Sequence, residues 1–376
     1  DSEMKFADIP GHDDIKRRLT AMVDEGHMPH ALLLEGPAGT AKFSLARALA
    51  RYIHCENRIT GHDSCGNCPA CRQHDTFNHI DTIFSFPVVK KNSRPTISDD
   101  YLPAFREFIS EHPFMDFDLW LETLDNINAQ PQIYVEEGNE LLRRLNYMTR
   151  RSAYKVILLW LPERLKEETA NKLLKLVEEP FADTIFIMVS NNSRAILPTI
   201  YSRTQRIAVR RYDDTEITDI LSGHGIEPAS AASLATLAEG NVNTALRLAG
   251  IAGDRLVSLD RFASLMRLAY SRKVAELRQW SIDIAALGRE PAMQFLDYSA
   301  RMLRENFLLH LSDERLITLE PEERKFCSRF FPFVNERNVL DLFEAFNESR
   351  RDIAGNANAR IVLFDMAVKI IMYLRR

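Results

Sequence analysis

Ala31-Leu-Leu-Leu-Glu35-Gly36-Pro-Ala-Gly39-Thr-Ala-Lys42-Phe43 is the stretch on which the fold turns. Ala31 to Glu35 is an apolar run of strand length. The glycine-bearing segment Gly36 to Lys42 ends it, and Phe43 to Ile53 follows with helical spacing, so the reading is strand, loop, helix. The alternation recurs downstream, where Lys155 to Leu161 predicts a strand, Glu167 to Glu178 a helix and Thr184 to Ser190 another strand. Within that helix Ala170, Leu173, Leu174 and Val177 fall at i, i+3, i+4 and i+7 on one face, and Pro180 stops it. Continuous apolar strands separated by amphipathic helices predict a parallel sheet with helices on both faces, an α/β domain over 1–210.

From Tyr212 onward the strand signals fade. Helix-like stretches follow one another, separated by Gly223-His-Gly225, Gly240, Gly250 to Gly253, Gly288 and Pro332. The expected fold class is therefore α/β plus all-α: a small helical domain at 211–252, then a larger helical domain at 253–376. Ala249-Gly-Ile-Ala-Gly253 is the hinge candidate. The stretch 84–132 is irregular, with Phe84, Phe86, Tyr101, Phe105, Phe108, Phe114, Phe117 and Trp120 among acidic residues. These aromatics are expected to form the core of their own subdomain, and no function attaches to them.

Gly36 to Phe43 occupies the place of a phosphate loop of the pattern G-x-x-x-x-G-K-[ST]. In a working loop the glycines bring backbone N–H groups to phosphate, the lysine reaches the β/γ-phosphates, and the final hydroxyl holds Mg²⁺. Gly36, Gly39 and Lys42 remain. The second required glycine is Ala41, and the hydroxyl is replaced by Phe43, whose ring cannot ligate a hard cation. A hydrolysing site also needs acidic residues at the end of a later strand, where this chain reads Leu158-Leu-Trp160-Leu161-Pro162. Glu163 lies two residues beyond that end and is not given the role. A loop shape without hydrolysis is expected, and nucleotide binding through Lys42 stays open.

Of five cysteines, four crowd together as Cys55, Cys65, Cys68 and Cys71, while Cys327 stands alone. C-x-x-C-x-x-C spacing in a turn-rich segment lets thiolates converge, and four of them make the closed tetrahedral set that structural zinc takes. His54, His62, His74 and His79 are alternative ligands that could replace a cysteine.

The 376 residues suggest two or three domains. Their 45% hydrophobic and 27% charged residues are globular values. With Lys+Arg 48 against Asp+Glu 53, any nucleic-acid contact must come from a local patch. No apolar run reaches the roughly 18 residues of a membrane span. Asp1 to Phe6 lacks the charge and apolar pattern of an export signal, and Asp1 to Glu3 are expected to be extraneous to a natural start at Met4. A cytoplasmic location with no membrane partner is expected.

Phe6-Ala-Asp-Ile-Pro-Gly11, the loop Gly36 to Lys42, the four-cysteine insert, Asn171-Lys-Leu-Leu-Lys-Leu-Val-Glu-Glu-Pro180 and Ile200-Tyr-Ser202-Arg203 together resemble the clamp-loader subunits of bacterial DNA polymerase III. Within that group the similarity is greatest to the delta prime branch. It runs over about 1–250, and Asn356-Ala-Asn358-Ala-Arg360 extends it weakly into the tail. The resemblance implies an AAA+ module with a small helical lid, followed by a helical collar that assembles subunits into a ring. It places structural zinc on Cys55, Cys65, Cys68 and Cys71. It puts the acidic pair of the motor subunits on Trp160 and Leu161, their sensor residue on Ser190 or Asn191, and their lid arginine on Asn243. Each departure removes a group that would hold Mg²⁺ or sense nucleotide.

The family's Ser-Arg-Cys motif, whose arginine reaches the ATP of a neighbouring subunit, reads Ser202-Arg203-Thr204 here. A guanidinium suits that task because its planar charged fork neutralises charge developing on the γ-phosphate. The implied partners are the motor and delta subunits, the sliding clamp and, through the assembly, primed DNA. Two further readings remain. One is an ATP-hydrolysing motor subunit of the same assembly. The other is a zinc-ribbon nucleic-acid-binding protein on a decayed NTPase fold, with Arg143, Arg144, Arg150, Arg151 and Lys155 as its phosphate-facing patch.

Overall fold

A computed structural model describes residues 5–90, 95–124, 130–147, 152–179, 181–310 and 319–375. Asp1 to Met4, Arg150, Arg151 and Pro180, all used in the sequence reading, lie outside the described residues. The chain falls into two compact units, Asp1–Ala249 and Gly250–Arg376.

In the first unit the strands are β1 (Ala31–Glu35), β2 (Thr82–Ser85), β3 (Lys155–Trp160), β4 (Thr184–Ser190) and β5 (Gln205–Ala208). They form one parallel sheet in the order β2-β3-β4-β1-β5. Leu33 on β1 pairs with Met188 on β4 and with Arg206 on β5. The helices are α1 (Asp13–Asp24), α2 (Lys42–His54), α3 (Pro69–Asp75), α4 (Leu102–Glu111), α5 (Phe117–Thr123), α6 (Val135–Tyr147), α7 (Glu167–Glu178), α8 (Pro198–Tyr201), α9 (Asp214–Gly223) and α10 (Pro228–Ala238).

The sheet is covered on both faces, as the apolar strands require. Leu32, Leu34, Leu158, Trp160, Ile187 and Val189 join one core with α2. Ala31, Leu33, Ile157, Leu159, Phe186 and Met188 join the other with Leu141 and Leu145 of α6 and Ala170, Leu173 and Val177 of α7. That alternation is the period-two geometry of a strand buried on both sides. Leu176 also joins the buried face of α7, while Leu174 is half-buried.

Two details differ from the sequence reading. The strands β2 and β5 emerge from stretches that carried no strand signal. The aromatics of 84–132 do not form a core of their own: Phe86, Phe105, Phe108 and Trp120 are buried in the main core beside α2 and β3. Phe105 stacks on Phe86 at 3.6 Å between ring centres and lies 5.8 Å from Trp160. The Trp120 indole N–H donates to the Pro87 carbonyl at 2.8 Å.

Helix α11 (Val242–Tyr270) begins in the first unit and runs across the boundary, so Ala249-Gly-Ile-Ala-Gly253 is helical. The second unit continues with α12 (Val274–Ala286), α13 (Arg289–His310), α14 (Pro321–Phe330), α15 (Val339–Ala354) and α16 (Ala359–Tyr373). Its core joins Phe262, Trp280, Phe295, Leu303, Phe346, Leu363 and Met366. Cys327 is buried there and accepts from Asn306 Nδ2 at 3.2 Å; burial pushes its thiol up to about 12.

Candidate functional site

The loop between β1 and α2 has the shape of a phosphate cradle with its interior already in use. Val209 N donates to the Glu35 carbonyl at 2.8 Å, and a side chain at Gly36 would strike the Val209 carbonyl, 2.2 Å from a Cβ placed there. Gly39 has φ 73°, and a Cβ there would lie 1.9 Å from Asn241 Oδ1. Gly36 is therefore demanded by close backbone approach, and Gly39 by its left-handed backbone and the Asn241 side chain packed against it. Asn241 itself caps α11, accepting from Asn243 N at 3.0 Å and Thr244 N at 3.3 Å. The Gly39 carbonyl accepts from Val242 N at 3.2 Å.

Lys42 is only 4% exposed, and its Nζ turns back onto the loop, donating to the Pro37 carbonyl and to Thr40 Oγ1 at 3.1 Å. Burial lowers its pKa to about 7, against the pull of the Glu163 carboxylate. Phe43 is buried and meets Trp160 edge-on at 6.3 Å and Phe105 at 5.9 Å. The residues that the sequence resemblance sets at the magnesium hydroxyl and at one motor acid are thus two rings packed against each other. Glu163, unassigned from sequence, accepts from Asn191 N at 2.9 Å and Asn192 N at 3.1 Å, fastening the chain just beyond β4. Burial raises its pKa. Asn243, which the sequence resemblance sets at the lid arginine, donates from Nδ2 to the Met115 carbonyl at 3.5 Å. Asn241 was missed from sequence, although an asparagine following Glu239-Gly240 before a helix is a cap signal.

At the other end of α2 the four predicted cysteines converge. Cys55 and Cys68 sulfurs are 4.0 Å apart, as are those of Cys65 and Cys71, and all four lie within 4.8 Å of one another. A tetrahedron with bonds of ~2.3 Å has edges of about 3.8 Å, so the group fits a metal ion with minor contraction. Backbone N–H groups support the sulfurs: Cys65 N donates to Cys55 Sγ at 3.2 Å and Cys68 N to Cys65 Sγ at 3.4 Å. Donation from Asn67 lowers the Cys65 pKa to about 6, whereas burial pushes Cys55 up to about 12. A bound cation would hold all four as thiolates and tie α2 to α3. His54, His74 and His79 form a cluster of their own, and His62 is exposed.

Arg203 sits in the turn between α8 and β5. Its guanidinium pairs with the Glu178 carboxylate at 2.5 Å and donates to the Thr199 carbonyl at 2.8 Å, with about 40% of each charged side chain exposed. Such a pair is worth at most about 1 kcal/mol and opens readily. Ser202 Oγ donates to the same Thr199 carbonyl at 3.3 Å, and Thr204 Oγ1 to the Tyr201 carbonyl at 2.9 Å. Tyr201 OH in turn donates to Glu35 at 3.3 Å, linking this turn to the strand that enters the phosphate loop.

Of the basic run, Arg143, Arg144 and Lys155 are among the described residues, and the two arginines are paired with carboxylates. Arg143 and Arg144 both bond Glu140, and Arg144 also pairs with Asp99. Lys155 Nζ donates to the Leu145 carbonyl at 3.1 Å. No helix among the described residues is long and apolar enough to cross a membrane.

A protein family described as DNA polymerase III, delta subunit, matches residues 11–213, more than half of the chain. The chain belongs to this family. Among curated relatives, DNA polymerase III subunit tau of Escherichia coli (strain K12) is 25% identical over 319 residues, covering 81% of this chain and 43% of the relative. DNA polymerase III subunit delta prime of Haemophilus influenzae is 29% identical over 191 residues, covering 51% of this chain and 46% of the relative. The chain thus spans less than half the length of these relatives. Of solved structures, a DNA polymerase III gamma subunit-related protein of Thermotoga maritima has a TM-score of 0.35 at 13% identity, covering 96% of this chain and 99% of that one. A RuvB of Thermotoga maritima has a TM-score of 0.38 at 14% identity, covering 66% and 63%.

Proposed function

We propose that this chain is a non-hydrolysing clamp-loader subunit in the delta prime role, helping to load a sliding clamp onto primed DNA. The observation that carries this is the contact of Phe43 with Trp160, 6.3 Å between ring centres, where a motor would hold Mg²⁺. Oxygen ligands are needed there, and an aromatic pair offers none. Lys42 spends its amine on its own loop, which leaves nucleotide binding without support. The four cysteines hold structural zinc in this reading. Arg203 is the group that acts outward: released from Glu178, it neutralises charge on the γ-phosphate held by a neighbouring motor subunit, with Ser202 beside it. The other partners are the delta subunit, the clamp and, through the assembly, primed DNA.

The similarity to tau over 81% of the chain supports a second reading, a hydrolysing motor working through Lys42. Steady-state ATP hydrolysis separates the two. The stator role expects silence from the chain alone and activity only with motor, delta, clamp and primed DNA. Arg203→Ala then lowers hydrolysis at the site it serves by about 10³–10⁵ while assembly persists. An unchanged rate removes Arg203 from the mechanism. Mg²⁺-dependent hydrolysis by the chain alone, abolished by Lys42→Ala, makes it a motor.

A further inference from the structure

Three histidines outside the cysteine cluster converge where α2 ends, α3 ends and β2 is about to begin. His54 and His79 are 5% and 6% exposed, and His74 completes the group. Their partners determine where the ring protons sit. His54 Nε2 lies 2.9 Å from the Tyr154 carbonyl, which only accepts, so Nε2 carries the proton and Nδ1 presents a bare lone pair. That lone pair faces His74 Nε2 at 2.9 Å. The backbone N–H of Asp81 donates to His79 Nδ1 at 3.3 Å, so that nitrogen carries no proton and its lone pair is held by the backbone until an ion displaces this bond. Thr82 Oγ1 stands 3.4 Å from His54 Nδ1 and 3.4 Å from His79 Nδ1.

These separations have a chemical meaning. Four ligands at ~2.0–2.1 Å from a tetrahedral ion lie about 3.4 Å from each other. Both Thr82 contacts already have that length, and the His54–His74 contact reaches it by opening about 0.5 Å as an ion replaces the shared proton. Donation from His54 Nε2–H to a backbone carbonyl is the outer hydrogen bond that metal-binding imidazoles characteristically make. Charge around the cluster is mixed: Arg51, paired with Asp75 at 2.5 Å, and buried Arg47 both disfavour positive charge at His74, while Asp81 favours it at His54 and His79.

We propose that His54, His74 and His79 form a second metal site, distinct from the four sulfurs, for a borderline divalent ion of the zinc, cobalt, nickel or copper type. Thr82 Oγ1, or a water at its place, takes the fourth corner. Imidazole nitrogen without thiolate selects this class over hard ions such as Mg²⁺. His79 is stacked on His54 at 4.1 Å and 9°, so its ring turns out of the stack to aim its lone pair at the ion. The ion then joins α2, α3 and the entry to β2.

The test uses the full chain, stripped of metal under reducing conditions, given one equivalent of Zn²⁺ and then titrated with Co²⁺. Expected is a second equivalent with visible d–d absorption and no thiolate-to-cobalt charge transfer. The double variant His74→Ala/His79→Ala falls from two equivalents to one, while His62→Ala keeps two. Binding that stops at one equivalent in the unmodified chain overturns the site, and that result needs no variant to fold. A second equivalent that survives the double variant, or that shows thiolate charge transfer, overturns it too.

Discussion

Helix α2 carries two very different endings. At its N-terminus stands the phosphate loop, which keeps Gly36, Gly39 and Lys42 and yet closes on itself. At its C-terminus Cys55 opens a cluster in which every expected donor is present and correctly spaced. Every residue of the helix between them is buried. The difference lies in what each end asks of its side chains. A loop survives as architecture when its glycines still satisfy close backbone packing, whatever becomes of its metal-binding groups. A cluster of four cysteines has no such second use, because four sulfurs, three of them buried, gain little from proximity without a cation.

The sharpest way to break this comparison is to remove a sulfur. Cys68→Ser leaves a buried hydroxyl in place of a soft ligand, and loss of a structural metal is among the few single changes that cost about 5 kcal/mol. Metal content should fall below half an equivalent for the sulfur site, and thermal unfolding of the 55–75 segment should move down sharply. A variant that melts like the unmodified chain would put the cysteines on the same footing as the emptied loop.

Trp160→Ala comes next. Trp160 is 1% exposed and touches Phe43, Phe105, Phe108 and Phe117, so truncation leaves a large cavity and costs about 3–5 kcal/mol by denaturant unfolding. The same variant should gain no ATP hydrolysis, since a cavity supplies no oxygen ligand. Stability held near that of the unmodified chain would mean that the ring cluster contributes little packing energy to this core.

Much of this was legible in the sequence because burial on both sides writes itself as apolar runs: β1, β3 and β4 are central strands of the sheet, and they were read within a residue. β2 and β5 were not, for a physical reason. β5 is a four-residue edge strand with Gln205 and Arg206 exposed, so neither its length nor its composition departs from a loop. The placement of Phe105 and Trp120 in the main core depends on contacts with Phe43 and Trp160, far away in sequence, to which periodicity is blind. Ala249 to Gly253 does contain the boundary between the two units, yet the stretch is helical, since two glycines cost a helix only about 1 kcal/mol each and the rest of α11 carries them. The sulfur ligands were readable from spacing. The histidines were noticed only as substitutes for cysteine, because nothing local reveals that His54 and His79 stack.

Lys42 sharpens the comparison through pH. Its folded pKa of about 7 lies below the usual 10.5, so the unfolded chain takes up the proton first as pH falls. Stability contributed by the neutral amine is full above 10.5, declines by up to about 1.4 kcal/mol per pH unit between 10.5 and 7, and is gone below. Lys42→Met should abolish that slope while other titrations remain, as read from urea midpoints across the range. An unchanged slope would mean that the amine stays charged and solvated in the fold, and so available to phosphate.

The smallest effect is expected at Ala41, and it tests whether backbone form alone was ever the limiting feature. Ala41 has φ 55°, a left-handed conformation that costs an alanine about 1–2 kcal/mol relative to its normal region. Restoring glycine removes that strain but loses a buried methyl worth about 0.8 kcal/mol and adds about 0.5–1 kcal/mol of unfolded-state freedom. The terms nearly cancel, so Ala41→Gly should stay within about 1 kcal/mol of the unmodified chain in chemical denaturation. That balance explains how alanine persists where a working loop needs glycine. In the proposed non-hydrolysing role Ala41→Gly alone also stays silent in ATP hydrolysis, because Phe43 and Trp160 would still offer no oxygen ligand. Hydrolysis regained by this one change would locate the loss in the backbone, and the contrast between the two ends of α2 would then reduce to a single methyl group.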